Sequence, residues 1–110
     1  MEMNKPLFIP LQTEFYEEFK NGTKIDELRK YGARWNEKTC MKGRKVIISK
    51  GYGKQNRMTG VIADFSKQIG STFSDAYRDD IKAVYGTDQI DIATIRIKDL
   101  VATNTPTKEE

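Results

Sequence analysis

Lys24, Glu27 and Arg29 fall within six residues, directly after a helix-ending glycine, in the run Asn21-Gly-Thr-Lys-Ile-Asp-Glu-Leu-Arg29. A cation beside a carboxylate favours its ionised form and aims it, while a guanidinium fork clamps a phosphate or carboxylate. The same spacing also describes an edge strand with charged faces and ordinary ion pairs. Side chains alternate along a strand, so Lys24 would face away from Glu27 and Arg29. The three converge only if Lys24 sits in the turn before the strand.

Two more constellations carry chemistry. Arg34, Trp35 and Asn36 lie in a stretch bounded by Gly32 and Gly43. There the indole can stack a base and the amide can read its edge, although a lone Trp also reads as a core or hinge residue. Lys50-Gly-Tyr-Gly-Lys54, with Arg57 beyond, offers backbone N–H groups and cations to a phosphate and Tyr52 for stacking. It is not a Walker loop, because the GxxxxGK[ST] pattern and its following helix are missing. Its other reading is a glycine-rich hairpin loop kept soluble by lysines.

These groups share one strongly basic region. Residues 20 to 57 hold twelve Lys or Arg against three acids, a net of +9, whereas the remainder holds seven bases and thirteen acids, a net of −6. Such an asymmetry points to an anionic partner, RNA or a nucleotide or nucleoside. Histidine is absent and Cys40 is the single cysteine. Imidazole-based catalysis is thereby excluded, no structural zinc or other metal site is expected, and no cofactor is called for. Cys40, near Lys38 and Lys42, reads as a bystander, and Glu17-Glu18 and Asp79-Asp80 as solvated helix faces. One cysteine suits a reducing cytoplasm, no signal peptide is recognisable, and no run approaches the roughly 20 apolar residues of a membrane helix, so no membrane partner is expected.

The elements that must position these residues follow from periodicity. Leu7-Phe8-Ile9, closed by Pro10, reads as a first strand. Thr13 caps a helix through Phe19, with Phe15 and Phe19 on one face, and Asn21-Gly22 stops it. Lys24 to Lys30 reads as a polar strand with Ile25, Glu27 and Arg29 on one face. Tyr31 to Gly43 reads as an extended loop, Arg44 to Ser49 as a strand, and Arg57 to Phe65 as the returning strand with Thr59, Val61, Ala63 and Phe65 on one face. A helix follows from about Thr72, with a Thr72/Asp75 capping box, a stripe of Phe73, Tyr77, Ile81 and Val84, and Gly86 as terminator. In the last strand, from about Gln89 to Val101, Ile90 and Ile92 change parity to Ile95 and Ile97, which predicts a bulge near Ala93-Thr94. The order predicts an α+β protein with two main helices on a small curved, mostly antiparallel sheet. Residues 1 to 102 form one domain in this reading, and residues 103 to 110 a polar, disordered tail.

Gly22-Thr23-Lys24-Ile25-Asp26-Glu27-Leu28-Arg29 fits a G-x-K-x-x-E-x-R run position by position. With Gly43-Arg44 leading into the Val46-Ile-Ile-Ser49 strand, the chain resembles the ASCH domain of the PUA-like superfamily over roughly residues 7 to 101. The wording of its two loops also resembles small ASCH-type proteins of bacteriophages and prophages. The resemblance implies a small β-barrel with a cleft floored by the Lys, Glu and Arg, and a role in binding RNA or modified nucleosides. Some ASCH members are amidohydrolases acting on an acetylated cytidine and some are reported as ribonucleases. In the amidohydrolases a Thr nucleophile occupies the place that Glu27 holds here, a departure that counts against that activity, and Thr23 does not align with it.

The expectation is therefore an RNA- or nucleotide-binding protein. Lys24, Arg29, Arg34, Lys50, Lys54 and Arg57 would contact phosphate, Trp35 and Tyr52 would stack, Asn36 would read a base edge and Glu27 would accept from a base or ribose. One alternative is a hydrolase of a modified nucleoside or of RNA, with Lys24 and Glu27 catalytic. Another is a phage factor that binds a host protein.

Overall fold

Branched apolar residues and alternation place the strands of this chain, and glycines end both helices. The computed structural model describes residues 5 to 103. The elements are β1 (Leu7–Leu11), α1 (Thr13–Asn21), β2 (Asp26–Lys30), β3 (Lys45–Lys50), β4 (Arg57–Ile69), α2 (Asp75–Tyr85) and β5 (Asp91–Ala102), with a 3-10 turn at Gly70–Thr72. The tail expected from Thr103 onward lies outside the described residues, apart from Thr103 itself.

The strands form one sheet in the order β1-β3-β4-β5-β2, with β1 parallel to β3 and every other pair antiparallel. This is the expected curved α+β architecture with two main helices. The sheet curls into a half-barrel whose edge strands are β1 and β2. Its core combines Ile9 and Leu11 of β1, Tyr16 and Phe19 of α1, Val46 and Ile48 of β3, and Ala93, Ile95 and Ile97 of β5. Trp35 and Cys40 of the long loop join that cluster. Each fully buried aliphatic side chain contributes about 1.5–3 kcal/mol.

Several local expectations are corrected. Gln12, not Thr13, is the N-cap of α1, and Ser74, not Thr72, that of α2, in both cases without a side-chain cap bond. The Thr72 hydroxyl instead donates to the Ile69 carbonyl, closing the 3-10 turn. Strand β4 runs to Ile69, and its buried face near the start is Met58, Gly60 and Ile62, the opposite parity to the Thr59-Val61-Ala63 set.

The bulge also lies elsewhere. Pairing of β5 is unbroken from Ile92 to Arg96 with both β2 and β4. The isoleucine parity changes because β5 is buried on both faces. Ala93, Ile95 and Ile97 belong to the main core, whereas Ile92 is buried outside it, as is Ile81 of α2. The register slips between Thr59 and Val61, leaving an extra residue at Asp99-Leu100 of β5, and again between Ile62 and Asp64, leaving one at Ala63 of β4. These bulges add the local twist that curls the sheet.

Asp99 adopts the left-handed conformation, φ 58°, which Asp tolerates better than most residues. Its bulge presses onto Gly60, where a Cβ would lie 2.9 Å from the Lys98 carbonyl oxygen and 2.9 Å from Leu100. Gly60→Ala is therefore expected to destabilise the protein by about 1–3 kcal/mol. Urea unfolding checks this, and unchanged stability would show that the bulge is free to shift.

Helix α2 is held at its ends rather than along its length. Ile81 is its one buried residue. Past Gly86, the buried Asp88 carboxylate accepts from Arg78 Nε and Nη2 at 3.2 and 3.0 Å, and from Gln89. The Arg78 guanidinium holds the Asp88 carboxyl below its ordinary value, against the opposing effect of burial. A carboxyl lowered by folding stabilises the fold above its unfolded value and loses that contribution as pH falls through the folded one. Below about pH 4, protection of the α2 amides relative to their intrinsic exchange rates is accordingly expected to fall. Asp88→Asn should show that lower protection already at neutral pH, and protection that does not fall on acidification of the unaltered protein would refute the clamp.

Candidate functional site

The open side of the half-barrel leaves two strand edges that do not pair with each other, and side chains bridge them. Glu27 and Arg29 alternate along β2 opposite Ile95 and Ala93, so both project toward the face that carries the main core. Charged residues at inward positions of a strand are costly unless paired, and here they are paired. Arg29 Nε donates to Glu27 Oε2 at 2.7 Å, and Arg29 Nη2 donates to the Pro10 carbonyl on β1 at 2.6 Å. One guanidinium thus ties β2 to β1. Its carbon lies 4.8 Å from the centre of the Trp35 ring, and Arg34 lies over the same ring at 5.1 Å.

Lys24 reaches the group because it precedes the strand. Gly22 ends α1 with φ 87°, a conformation glycine adopts without a Cβ penalty. The reversal brings the N–H groups of Thr23 and Lys24 to the Glu18 carbonyl at 3.0 and 3.1 Å. Lys24 Nζ then sits 5.3 and 5.5 Å from the ring centres of Phe15 and Phe19, one helical turn apart, and 3.7 Å from Glu27 Oε1. Cation–π contacts of this kind contribute about 0.5–2 kcal/mol and fix the ammonium. Among the described residues the hydrogen bond to Glu27 goes to Oε2, and Oε1 has only the Lys24 ammonium at 3.7 Å beside it.

Lys24, Glu27 and Arg29 line a cleft of about 330 Å³ together with Leu28, Phe15, Pro10 and Leu11 at the end of β1, and Gln12 beyond it. Its other wall is α2, through Tyr77, Asp80, Ile81, Val84 and Tyr85. The Lys30 N–H, pointing off the free edge of β2, is taken up by the Tyr85 hydroxyl at 3.1 Å, which anchors the helix over the opening. Two cations, Lys24 and Arg29, face two acids, Glu27 and Asp80. The cleft is mostly apolar with a few convergent polar groups, its charges balance, and its size falls within the roughly 300–1,000 Å³ of small-molecule sites. It suits a neutral planar ring with donors on its edge better than a string of phosphates.

The other expected site residues are placed differently. Trp35 is buried and stands behind Arg29 rather than in the cleft. The Asn36 amide donates to the carbonyls of Gly32 and Ala33 and its oxygen accepts from Lys38 and Thr39, which stitches the loop. Tyr31 pairs with Glu37 in the same loop. Lys50 pairs with Glu17 at 2.8 Å. Arg57 donates to the carbonyls of Gly53 and Tyr52 and lies over Phe8, with exposed Tyr52 and Lys54 beside it. That group lines neither this cleft nor the groove near Lys98.

Sequence reasoning missed the α2 wall and Phe15. The available signal was a stripe, Tyr77, Ile81, Val84 and Tyr85, with two tyrosines at its ends; Asp80, read as part of a solvated face, also lines the cleft. Nucleophiles are scarce there. The Thr23 hydroxyl donates to Asn21 Oδ1 at 2.7 Å, away from the cleft lining, and the Cys40 thiol is buried in the core, where burial pushes its pKa up.

No family model and no curated protein matches this sequence. Solved structures do. A serine-to-alanine variant of the ASCH protein from Zymomonas mobilis superposes with a TM-score of 0.63 and 15% identity, over 90% of this chain and 71% of that one. The unaltered ASCH protein from the same organism gives 0.60 and 15%, over 86% and 68%. The fold is an ASCH fold. At this identity the likeness carries the ASCH architecture, while the site residues stand on their own geometry. Among the described residues of this ASCH-like chain, no helix is long and apolar enough to cross a membrane.

Proposed function

We propose that this chain is a small ASCH/PUA-like protein of the phage or prophage type that holds RNA or a nucleotide in the cytoplasm, with Glu27 reading the edge of a base in the cleft. The observation that carries this reading is the inward, Arg29-anchored Glu27 carboxylate on the floor of a cleft walled by Phe15, Tyr77 and Tyr85. A carboxylate in that position accepts from amino or imino groups of a heterocycle, and the apolar walls take its faces. Lys24 stands ready for an adjoining phosphate. The Tyr52-Lys54-Arg57 patch offers a separate, exposed contact for a longer strand.

Titration of the four ribonucleosides and a short single-stranded RNA tests the reading against the Glu27→Gln variant. Binding is expected to the unaltered protein and to be weakened about 10- to 100-fold in the variant; equal affinity overturns it. Hydrolysis of a modified nucleoside or of RNA is the second reading, favoured by the 3.7 Å approach of Lys24 to Glu27, a charge stabiliser beside a base. Turnover of acetylcytidine or RNA that depends on Glu27 would move the assignment there.

A further inference from the structure

Lys24 is shared between two depressions. The second is an open groove of about 460 Å³, to which Phe19, Ile25, Ala63, Ile97 and Leu100 contribute an apolar floor. Its walls differ from those of the cleft in charge. Lys20, Lys24, Arg96 and Lys98 stand there against Asp99 alone. Arg96 is engaged by Asp26 at 2.8 Å, whereas neither Lys20 nor Lys98 forms an ion pair among the described residues. The cleft is electrically balanced and the groove is cationic, and the Lys24 ammonium lies between them, over Phe15 of the first and Phe19 of the second.

The groove wall is also a specifically built piece of backbone. Lys98 and Leu100 flank the left-handed Asp99, and the bulge that carries them is pressed against Gly60, where no Cβ fits. That arrangement holds a lysine and an apolar side chain at the same lip.

We infer that the ligand is a single strand of nucleic acid rather than a free nucleoside, with Lys24 on the phosphodiester between two successive nucleotides. One base occupies the cleft against Glu27. The next nucleoside lies on the apolar floor of the groove, with Lys20 and Lys98 joining Lys24 around that same phosphodiester. The inference rests on the reading of the cleft as a base site and extends it to a dinucleotide step. Joining two weak sites through one linkage raises the affinity of the joined ligand well above that of either part, and each added phosphate contact brings salt dependence.

Calorimetric titration of the four ribonucleosides, and of dinucleoside monophosphates containing the best-bound one, tests this on the full chain. The dinucleoside monophosphate is expected to bind at least about tenfold more tightly than the nucleoside. The Lys20→Glu/Lys98→Glu double variant is expected to remove that gain and leave nucleoside affinity unchanged. Both side chains are exposed, and circular dichroism confirms that the variant folds. Nucleoside binding without a dinucleotide gain, or a gain that survives in the double variant, overturns the inference and leaves the cleft reading standing. Absence of any binding, or binding that Glu27→Gln does not weaken, overturns both.

Discussion

Arg29→Ala is expected to lower the stability of this protein by about 2–4 kcal/mol, a large share of the 5–15 kcal/mol typical of a domain. The substitution removes the guanidinium that joins β2 to the Pro10 carbonyl of β1 and leaves Glu27, whose side chain is 9% exposed, with only the more distant Lys24. It also uncovers the Trp35 ring. Arg29→Lys should fall between, because one ammonium does not span Glu27 and Pro10 together. Urea unfolding followed by the fluorescence of Trp35, the single tryptophan, measures both. The Glu27→Ala/Arg29→Ala double variant should cost clearly less than its two singles added, since it buries no lone charge. Strict additivity would show that the pair does not hold the half-barrel's edges.

Glu27→Gln is expected to weaken ligand binding about 10- to 100-fold, the loss of a hydrogen bond to a charged acceptor. The variant keeps the shape of the side chain, so Arg29 retains an oxygen partner and the fold should persist. The effect is specific in direction. A base that donates to a carboxylate loses its acceptor charge, while contacts to phosphate through Lys24 become relatively more important and the affinity more sensitive to salt. Isothermal titration at two salt concentrations reads both. A variant that binds as tightly as the unaltered protein, with the same salt slope, would remove Glu27 from recognition.

Much of this was legible along the chain. The polar run from Gly22 to Arg29 singled out three residues that line one cleft, and the requirement that Lys24 precede the strand was met because Gly22 turns the chain before Asp26. The +9 count marked the region, yet its arginines are largely spent on the fold. Arg44 donates to the Lys5 and Thr39 carbonyls and Arg57 to those of Gly53 and Tyr52. A charge count does not distinguish a cation that meets a ligand from one that satisfies a carbonyl.

The sequence by itself determined the element order, the helix ends at Gly22 and Gly86, and the spacing of Lys24, Glu27 and Arg29, because each depends on periodicity or turn chemistry within a few residues. Only the tertiary structure decided that β1 and β2 would be the free edges, that α2 would wall the gap instead of packing fully on the sheet, and that Trp35 would stand behind Arg29. It alone set the charge balance of the cleft, since Asp80 joins residues more than fifty positions earlier in the chain. Those outcomes depend on through-space convergence set by sheet order and curl, which no local pattern encodes.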